Sequence, residues 1–241
     1  MIKETDVIIQ ARLDSTRLPE KVLLSIGKKP LIAWIVERLT LSQYIRNIII
    51  ATTEDSLSRI KRSLKNYSFV KYFTGSKNNV LERYYQAASH FGSKVIVRAT
   101  GDNPLVCPEF LDKTLEYHEE AGADLTHFLG IPIGTGVEVI GSDALNSVYK
   151  NAKSPYDLEH VTPFIYKNRD SYKVLEPLSS GFYYSPDIRV TVDTPADLVH
   201  VRQIFDNFRN KAFISMEDII SYHKSGYKIK GINTWKIPIT V

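Results

Sequence analysis

The feature that most constrains this chain is a repeated alternation of short apolar runs with segments of helical period. Asp6-Val7-Ile8-Ile9-Gln10 is a run suited to a strand buried on both faces of a sheet. After a polar loop, Pro30 opens Leu31-Ile32-Ala33-Trp34-Ile35-Val36-Glu37-Arg38-Leu39, where apolar residues recur at helical spacing. Proline suits a helix start because the N–H it lacks would have had no partner there. The rhythm then repeats: strand 47–51, helix 56–64, strand 69–73, helix 80–91, strand 94–98, helix 108–120 closed by Gly122, and strand 124–128. Strands and helices in strict alternation with short loops predict an α/β fold. The sheet is expected to be doubly wound, mostly parallel and twisted, with right-handed crossovers.

From about Ile131 the rhythm changes. Gly130, Gly134, Gly136 and Gly141 punctuate short extended pieces, followed by helices at 142–151 and 157–168 and strands at 172–175 and 189–192. Thr194-Pro195 opens a strong helix to 208, and a shorter one covers 216–223. With no low-complexity linker and no internal repeat, residues 1–241 read as a single domain carrying an inserted irregular subregion at about 126–190.

Composition narrows the function classes. The net charge of +4 comes from scattered lysines and arginines, which disfavours a nucleic-acid surface but suits a polyphosphate pocket. Cys107 is the only cysteine, so no intrachain disulfide forms, and a buried structural thiol is the expected state. The opening Met1-Ile2-Lys3-Glu4-Thr5-Asp6 lacks the basic and apolar regions of a signal peptide. No apolar run approaches the roughly 20 residues of a membrane span. A cytoplasmic protein with no membrane partner is expected.

Ligands of open parallel sheets bind beyond the carboxyl ends of the strands, so the loops there carry the information. The first is Gln10-Ala11-Arg12-Leu13-Asp14-Ser15-Thr16-Arg17-Leu18-Pro19-Glu20-Lys21. It has no glycine, which excludes a Walker loop or a dinucleotide fingerprint. Arg12, Arg17 and Lys21 instead crowd three cations into ten residues, with Ser15 and Thr16 as hydroxyl donors. Arginine forks and a mobile lysine suit a triphosphate whose pyrophosphate leaves as charge develops. A solvated basic loop paired with Asp14 and Glu20 is the plainer alternative.

The pattern Arg-x-x-Ser-x-Arg-x-Pro-x-Lys, standing as Arg12, Ser15, Arg17, Pro19 and Lys21, resembles the signature of the sugar-acid cytidylyltransferases. That family includes the synthetases of CMP-activated 3-deoxy-manno-octulosonate and of CMP-activated nonulosonic acids. The likeness is strongest to the spore coat polysaccharide biosynthesis protein F-like group and runs from about Ile8 to Phe208. It implies a Rossmann-like nucleotidyltransferase fold, CTP and a sugar as substrates, Mg2+ as cofactor, and a homodimer built from the irregular half. Arg12, Arg17, Lys21 and Asp102 are then the catalytic residues.

Gly101-Asp102-Asn103-Pro104-Leu105 follows the fourth strand and resembles the family's Gly-Asp-x-Pro-Leu, which implies Asp102 as a metal ligand. A turn or helix-capping aspartate is the alternative. Asp193, at the end of Arg189-Val190-Thr191-Val192, matches a second metal ligand of the family, although a helix N-cap is its plain reading. Asp197 falls in the first turn of the following helix and suits the helix dipole. Glycosyltransferases of related fold place two carboxylates one residue apart at this strand end; here the pair is Asp102 and Pro104, which argues against that chemistry.

On the nucleotide side the resemblance implies Ala11, Thr52, Gly75, Ser76, Arg83, Thr100 and Gly101 beside the loop cations. The octulosonate enzymes carry Ser-Gly-Thr-Asp-Arg where Gly75-Ser76 stands, and a glutamine where Thr100 stands. Arg83 equally fits a surface helix residue. For the acceptor, Glu138, Glu159, His160 and Arg189 are the candidates, with Arg189 suited to a carboxylate and equally to a solvent-facing strand position. The expected reaction is CMP transfer from CTP to a sugar, an acidic keto-sugar by the resemblance. A CDP-forming enzyme acting on a phosphorylated alcohol or sugar phosphate, and a nucleotide-binding protein without turnover, are the alternatives.

Overall fold

The computed structural model describes residues 4–226. In chain order the elements are β1 (Thr5–Gln10), a hairpin of β2 (Ser25–Ile26) and β3 (Lys29–Pro30), α1 (Leu31–Leu39), β4 (Asn47–Thr52), α2 (Glu54–Ser63), β5 (Lys71–Thr74) and α3 (Val80–Phe91). Then come β6 (Val95–Thr100), α4 (Pro108–Ala121), β7 (Leu125–His127), β8 (Glu138–Gly141), α5 (Ser142–Asn151), α6 (Pro155–His160), α7 (Pro163–Lys167), β9 (Val174–Leu175), α8 (Pro195–Asn207) and α9 (Met216–Lys224). The main sheet has seven strands in the order β5-β4-β1-β6-β8-β7-β9. β1 pairs in parallel with β4 and with β6, and β8 alone runs against its neighbours β6 and β7.

Strand alternation sorts the core onto two faces. Val7 and Ile9 point to one side, where α1, α4, α8 and α9 supply Ile35, Leu111, Val201 and Ile219. Ile8 points to the other, with Ile49 and Ile96, against Leu81 and Tyr84 of α3 and Leu145 of α5. Burial on both faces is why the first strand reads as a continuous apolar run. The Tyr84 hydroxyl, fully buried, reaches the carbonyls of Ile8 (3.1 Å) and Ala99 (2.9 Å) and so ties α3 to β1 and β6.

The doubly wound, mostly parallel sheet expected from the alternation is present. Four local readings change. The helix at 157–168 is two helices, α6 and α7, because Val161 takes φ 73° and Pro163 lacks the N–H a continuing helix needs. Residues 189–192 form no strand of the sheet. Their backbone bonds go to loops: Val190 N–H to Ile133 O and Val192 N–H to Asp102 O, both 2.8 Å. The strand at 172–175 shrinks to β9, and that at 69–73 shifts to β5. Among the glycine-punctuated pieces, 138–141 is a full strand inserted between β6 and β7. Among the described residues no helix is long and apolar enough to cross a membrane.

Cys107 lies at the start of α4, 1% exposed, and burial pushes its thiol up to about 11. A thiol that is both inaccessible and protonated is inert. Native protein is therefore expected to resist a thiol-reactive chromophore at pH 8 and to react with one equivalent once denatured; rapid labelling of the native form would contradict this.

At the amino end of β1, the carboxylate of Asp6 is fully buried. It accepts from Arg46 Nε (3.0 Å) and Nη2 (2.6 Å), Asn47 Nδ2 (2.9 Å) and Ser93 Oγ (2.6 Å). Removing the guanidinium would strand a buried charge. Arg46→Ala is expected to lower stability by about 2 kcal/mol, below the roughly 3–5 kcal/mol of a fully buried pair because Arg46 itself is partly exposed. Urea denaturation checks this, and an unchanged midpoint would refute it.

Candidate active site

β1 is the point where the sheet order reverses: β4 and β5 lie to one side of it and β6 to the other. The crevice above its carboxyl end is the favoured ligand position of such a sheet. Two loops meet there. The first, 11–20, is pinned at both ends: Ala11 N–H bonds Ala51 O (3.2 Å), and Glu20 N–H bonds Leu13 O (3.0 Å). Glu20 takes the left-handed conformation, φ 54°, and its carboxylate is gripped by Arg59. This turn delivers Lys21 at the head of a short 3-10 turn.

The second loop opens at Gly101, whose N–H bonds Gln10 O at 3.0 Å. A Cβ here would lie 2.9 Å from that carbonyl and 2.9 Å from Val22, so only glycine allows β1 and β6 to close at this height. Asp102 follows. Its backbone carbonyl holds Val192, and this brings Asp193 over from the amino end of α8. The N-cap of α8 is Thr194, not Asp193. Thr194 and Asp197 form a reciprocal capping box, and Asp197 also accepts from the Asp193 N–H (3.0 Å). Asp193 is thereby released from capping.

The two carboxylates converge on one ammonium. Lys21 Nζ is 3.2 Å from Asp102 Oδ2 and 3.1 Å from Asp193 Oδ1. Arg17 reaches Asp193 Oδ1 (3.0 Å), and Arg189 reaches Asp193 Oδ2 (2.6 Å). Burial works to raise the Asp193 pKa, but Lys21, Arg17 and Arg189 outweigh it and hold the carboxyl below its ordinary value. The Thr100 hydroxyl donates to Asp102 Oδ1, and Asn103 Nδ2 donates to Thr100 at 3.0 Å. Among the described residues no cluster of three or more His, Cys, Asp or Glu side chains could hold a metal. Two convergent carboxylates nonetheless fit a hard cation that takes its remaining oxygens from phosphate and water.

Arg12 stands apart from this centre. It pairs with Asp14 and Glu159 (3.3 Å each) and donates to Lys77 O (3.3 Å). Ser15 lies half-buried in the same loop. At the carboxyl end of β4, Thr52 is fully buried, and its carbonyl accepts from Gly75 N–H (3.1 Å). Arg83 is no surface residue: it is 1% exposed and donates through Nη1 to Ser76 O (2.6 Å). Ala11 is buried at the crevice floor.

The acceptor candidates separate. Glu138 lies in a cleft of about 350 Å³ beside the carboxyl end of β6, lined also by Arg98, Thr100, Asn103, His127 and the 128–137 segment. It accepts from Arg98 Nη1 (2.7 Å), Thr162 Oγ1 (3.0 Å) and Tyr166 Oη (2.9 Å), and Tyr166 Oη also lies 2.9 Å from His127 Nδ1. Arg189 is committed to Asp193 and Glu159 to Arg12, while His160 is exposed and packs on Tyr156. Neither Glu159, His160 nor Arg189 lines the cleft. Sequence reasoning missed Arg98, His127, Asn103 and Tyr166. A charged residue inside an otherwise apolar strand was the available sign for Arg98.

Seven buried side-chain polar atoms among the described residues have no hydrogen-bond partner. Five of them, Gln10 Oε1, Thr52 Oγ1, Arg83 Nε, Arg98 Nε and Asn103 Oδ1, belong to residues at or flanking the carboxyl edge of the sheet. Orphaned polar groups are costly to keep, and their gathering at one edge marks where polar partners are needed.

Comparison with known proteins identifies the family. The family model described as Cytidylyltransferase matches residues 7–224. The uncharacterised protein MJ1063 of Methanocaldococcus jannaschii is 37% identical over 94% of this chain and 93% of its own length. The spore coat polysaccharide biosynthesis protein SpsF of Bacillus subtilis is 31% identical over 89% and 91%. A 3-deoxy-manno-octulosonate cytidylyltransferase of Psychrobacter cryohalolentis is 34% identical over 46% of this chain and 41% of its own. The solved cytidylyltransferase of Leptospira borgpetersenii superposes with a TM-score of 0.82, at 27% identity, over 92% of this chain and 94% of that one. From the loop cations and carboxylates to the match over nearly its whole length, the chain belongs to the cytidylyltransferase family.

Proposed function

We propose that this enzyme transfers CMP from CTP to a hydroxyl of a sugar, an acidic keto-sugar, and releases pyrophosphate, in the assembly of a surface or spore-coat polysaccharide. The observation that carries this reading is the meeting of Lys21, Arg17, Asp102 and Asp193 at the switch point of the sheet. Cations alone would suit any phosphate ligand; cations interleaved with two carboxylates suit a phosphate that must be both held and cleaved. The names of the spore-coat and octulosonate relatives support a sugar acceptor.

In this reading the chain is one nucleotidyltransferase unit with its acceptor side at about 126–190. Arg12, Arg17 and Lys21 bind the β- and γ-phosphates and stabilise the departing pyrophosphate. Ala11, Ser15, Thr52, Gly75, Ser76, Arg83, Thr100 and Gly101 surround the nucleoside, with the buried Arg83 positioned by Ser76 to meet the base edge. Asp102 and Asp193 would hold Mg2+, whose chemistry there is to neutralise phosphate charge and acidify the attacking hydroxyl. The acceptor lies in the cleft of Arg98, His127 and Glu138. Its hydroxyl oxygen bonds to the α-phosphorus, the α–β phosphoanhydride bond breaks, and the hydroxyl proton passes to solvent. A lone, buried, reduced cysteine suits the cytoplasm.

Homodimerisation belongs to the same proposal. Residues 129–133 pair through their backbones with 177–188, and this paired surface exposes Leu129, Ile133, Leu178, Phe182 and Tyr184. Apolar residues grouped in this way favour a protein interface. Sedimentation analysis is expected to show a dimer, and Leu178→Glu a monomer; a monomeric wild type would refute this part.

The reaction is tested by pyrophosphate release from CTP, UTP, ATP and GTP with Mg2+ and a panel of sugar acids and sugar phosphates. Release with CTP that requires a sugar acid and yields a CMP product is expected, and Asp102→Ala should lower it by about 10²-fold or more. A CDP product would move the enzyme to phosphorylated acceptors. CTP binding without release from any pair would overturn the catalytic reading.

A further inference from the structure

The four oxygens of Asp102 and Asp193 are all engaged by donors of the chain itself. Asp102 Oδ1 takes the Thr100 hydroxyl, and Oδ2 takes Lys21 at 3.2 Å. Asp193 Oδ1 takes Lys21 at 3.1 Å and Arg17 at 3.0 Å, and Oδ2 takes Arg189 at 2.6 Å. Two negative charges thus face three positive ones. A bare divalent cation approaching this pair meets a centre that is already more than neutralised, and at such separations like charges repel strongly. Of the donors, only Lys21 touches both carboxylates, and its ammonium occupies the point on which they converge.

Lysine is suited to leave that point. Its charge is compact and rides on a flexible four-carbon stem, whereas the two arginines hold Asp193 alone. Its side chain is 15% exposed, so the pairing is sheltered from screening salt. It also belongs to the loop that faces the phosphate position, and a triphosphate carries more negative charge than the two aspartates together.

We infer that Lys21 is a resident counter-cation for Asp102 and Asp193, which keeps the pair closed to free divalent metal until a triphosphate draws the ammonium away. The inference rests on the reading of these aspartates as the metal-holding pair. It gives Lys21 two successive partners, the carboxylates in the free enzyme and the phosphates in the loaded one. It also makes metal entry dependent on nucleotide.

Mn2+ retention by the full chain, followed by ultrafiltration and by the electron paramagnetic resonance of the free ion, tests this without turnover. Wild type is expected to bind Mn2+ weakly alone and at least about tenfold more tightly with a methylene-bridged CTP analogue that cannot be cleaved. Lys21→Met, close in length and uncharged, is expected to bind Mn2+ at least about tenfold more tightly than wild type in the absence of nucleotide. That gain should vanish in Lys21→Met/Asp193→Asn. Equal Mn2+ affinity of wild type and Lys21→Met without nucleotide overturns the inference while leaving the metal pair intact, and so does a gain that survives Asp193→Asn. No Mn2+ retained by wild type even with the analogue bound would remove the metal pair itself, and the inference with it. Should Lys21→Met fold poorly by circular dichroism, the wild-type comparison decides: Mn2+ bound as tightly without nucleotide as with it refutes the closed pair.

Discussion

The parallel pairing of β1 with β4 and β6 is the constraint on which the rest of the structure depends. A strand flanked on both sides and covered on both faces has no freedom of register, because a slip of one residue would exchange Val7 and Ile9 for Ile8 across the sheet. Fixing β1 fixes the height at which its loop departs. The contact of Gly101 with Gln10 fixes the departure of the second loop at the same height. Lys21 and Asp102 then meet because their loops leave adjacent strands at one level. Asp193 joins them through the Val192–Asp102 backbone bond, and the capping box at Thr194 and Asp197 leaves its side chain uncommitted to α8.

Charge in this molecule is distributed in two connected but different ways. At the switch point cations exceed carboxylates, and Arg17 and Arg189 are open to solvent while Lys21 is sheltered, so an arriving polyanion meets an excess of positive charge. In the neighbouring cleft the pairing is tighter. Arg98 is met by Glu138, which is in turn met by Thr162 and Tyr166. Burial, and then Glu138 beside it, push the Tyr166 phenol well above its ordinary pKa, so it stays a neutral donor. Such a network is stiff, since any member removed leaves a partner buried and unsatisfied. The site thus joins an open cluster of cations and carboxylates, the proposed phosphate side, to a rigid hydrogen-bonded network on the proposed acceptor side.

Much of the frame was legible in the residues. The run Val7-Ile8-Ile9 suited a strand buried on both faces, and the cation-rich loop directly after it was expected at the carboxyl end of the sheet. The family likeness of Arg12, Ser15, Arg17, Pro19 and Lys21 named the chemistry. What could not be read were partnerships between distant segments. Arg189 looked like a hand for an acceptor carboxylate, and the fold spends it on Asp193. Glu159 and His160 stood beside a promising helix start, yet Glu159 pairs with Arg12, His160 packs on Tyr156, and neither lines the cleft. Residues 189–192 had the alternation of a strand but satisfy their backbone against loops, a distinction that resides in tertiary contacts and not in local pattern. Arg83 could be a surface or a buried residue by period alone; only the packing of α3 on β1 decides.

The reversed strand β8 carries a consequence for how such enzymes diversify. Because it runs opposite to its neighbours, the segment that leads into it, 128–137, arrives at the same edge of the sheet as the loops that leave β1 and β6. A parallel strand in that place would have sent this segment to the far edge. One backbone stretch, entering from the less regular half, therefore forms a wall of the proposed acceptor cleft without sharing a single residue with the loop cations. On the proposed assignment, changes of length or side chain within it would alter the shape offered to the second substrate while the loop cations stay as they are. The fold separates what is handed over from whom it is handed to, and leaves the recipient free to drift.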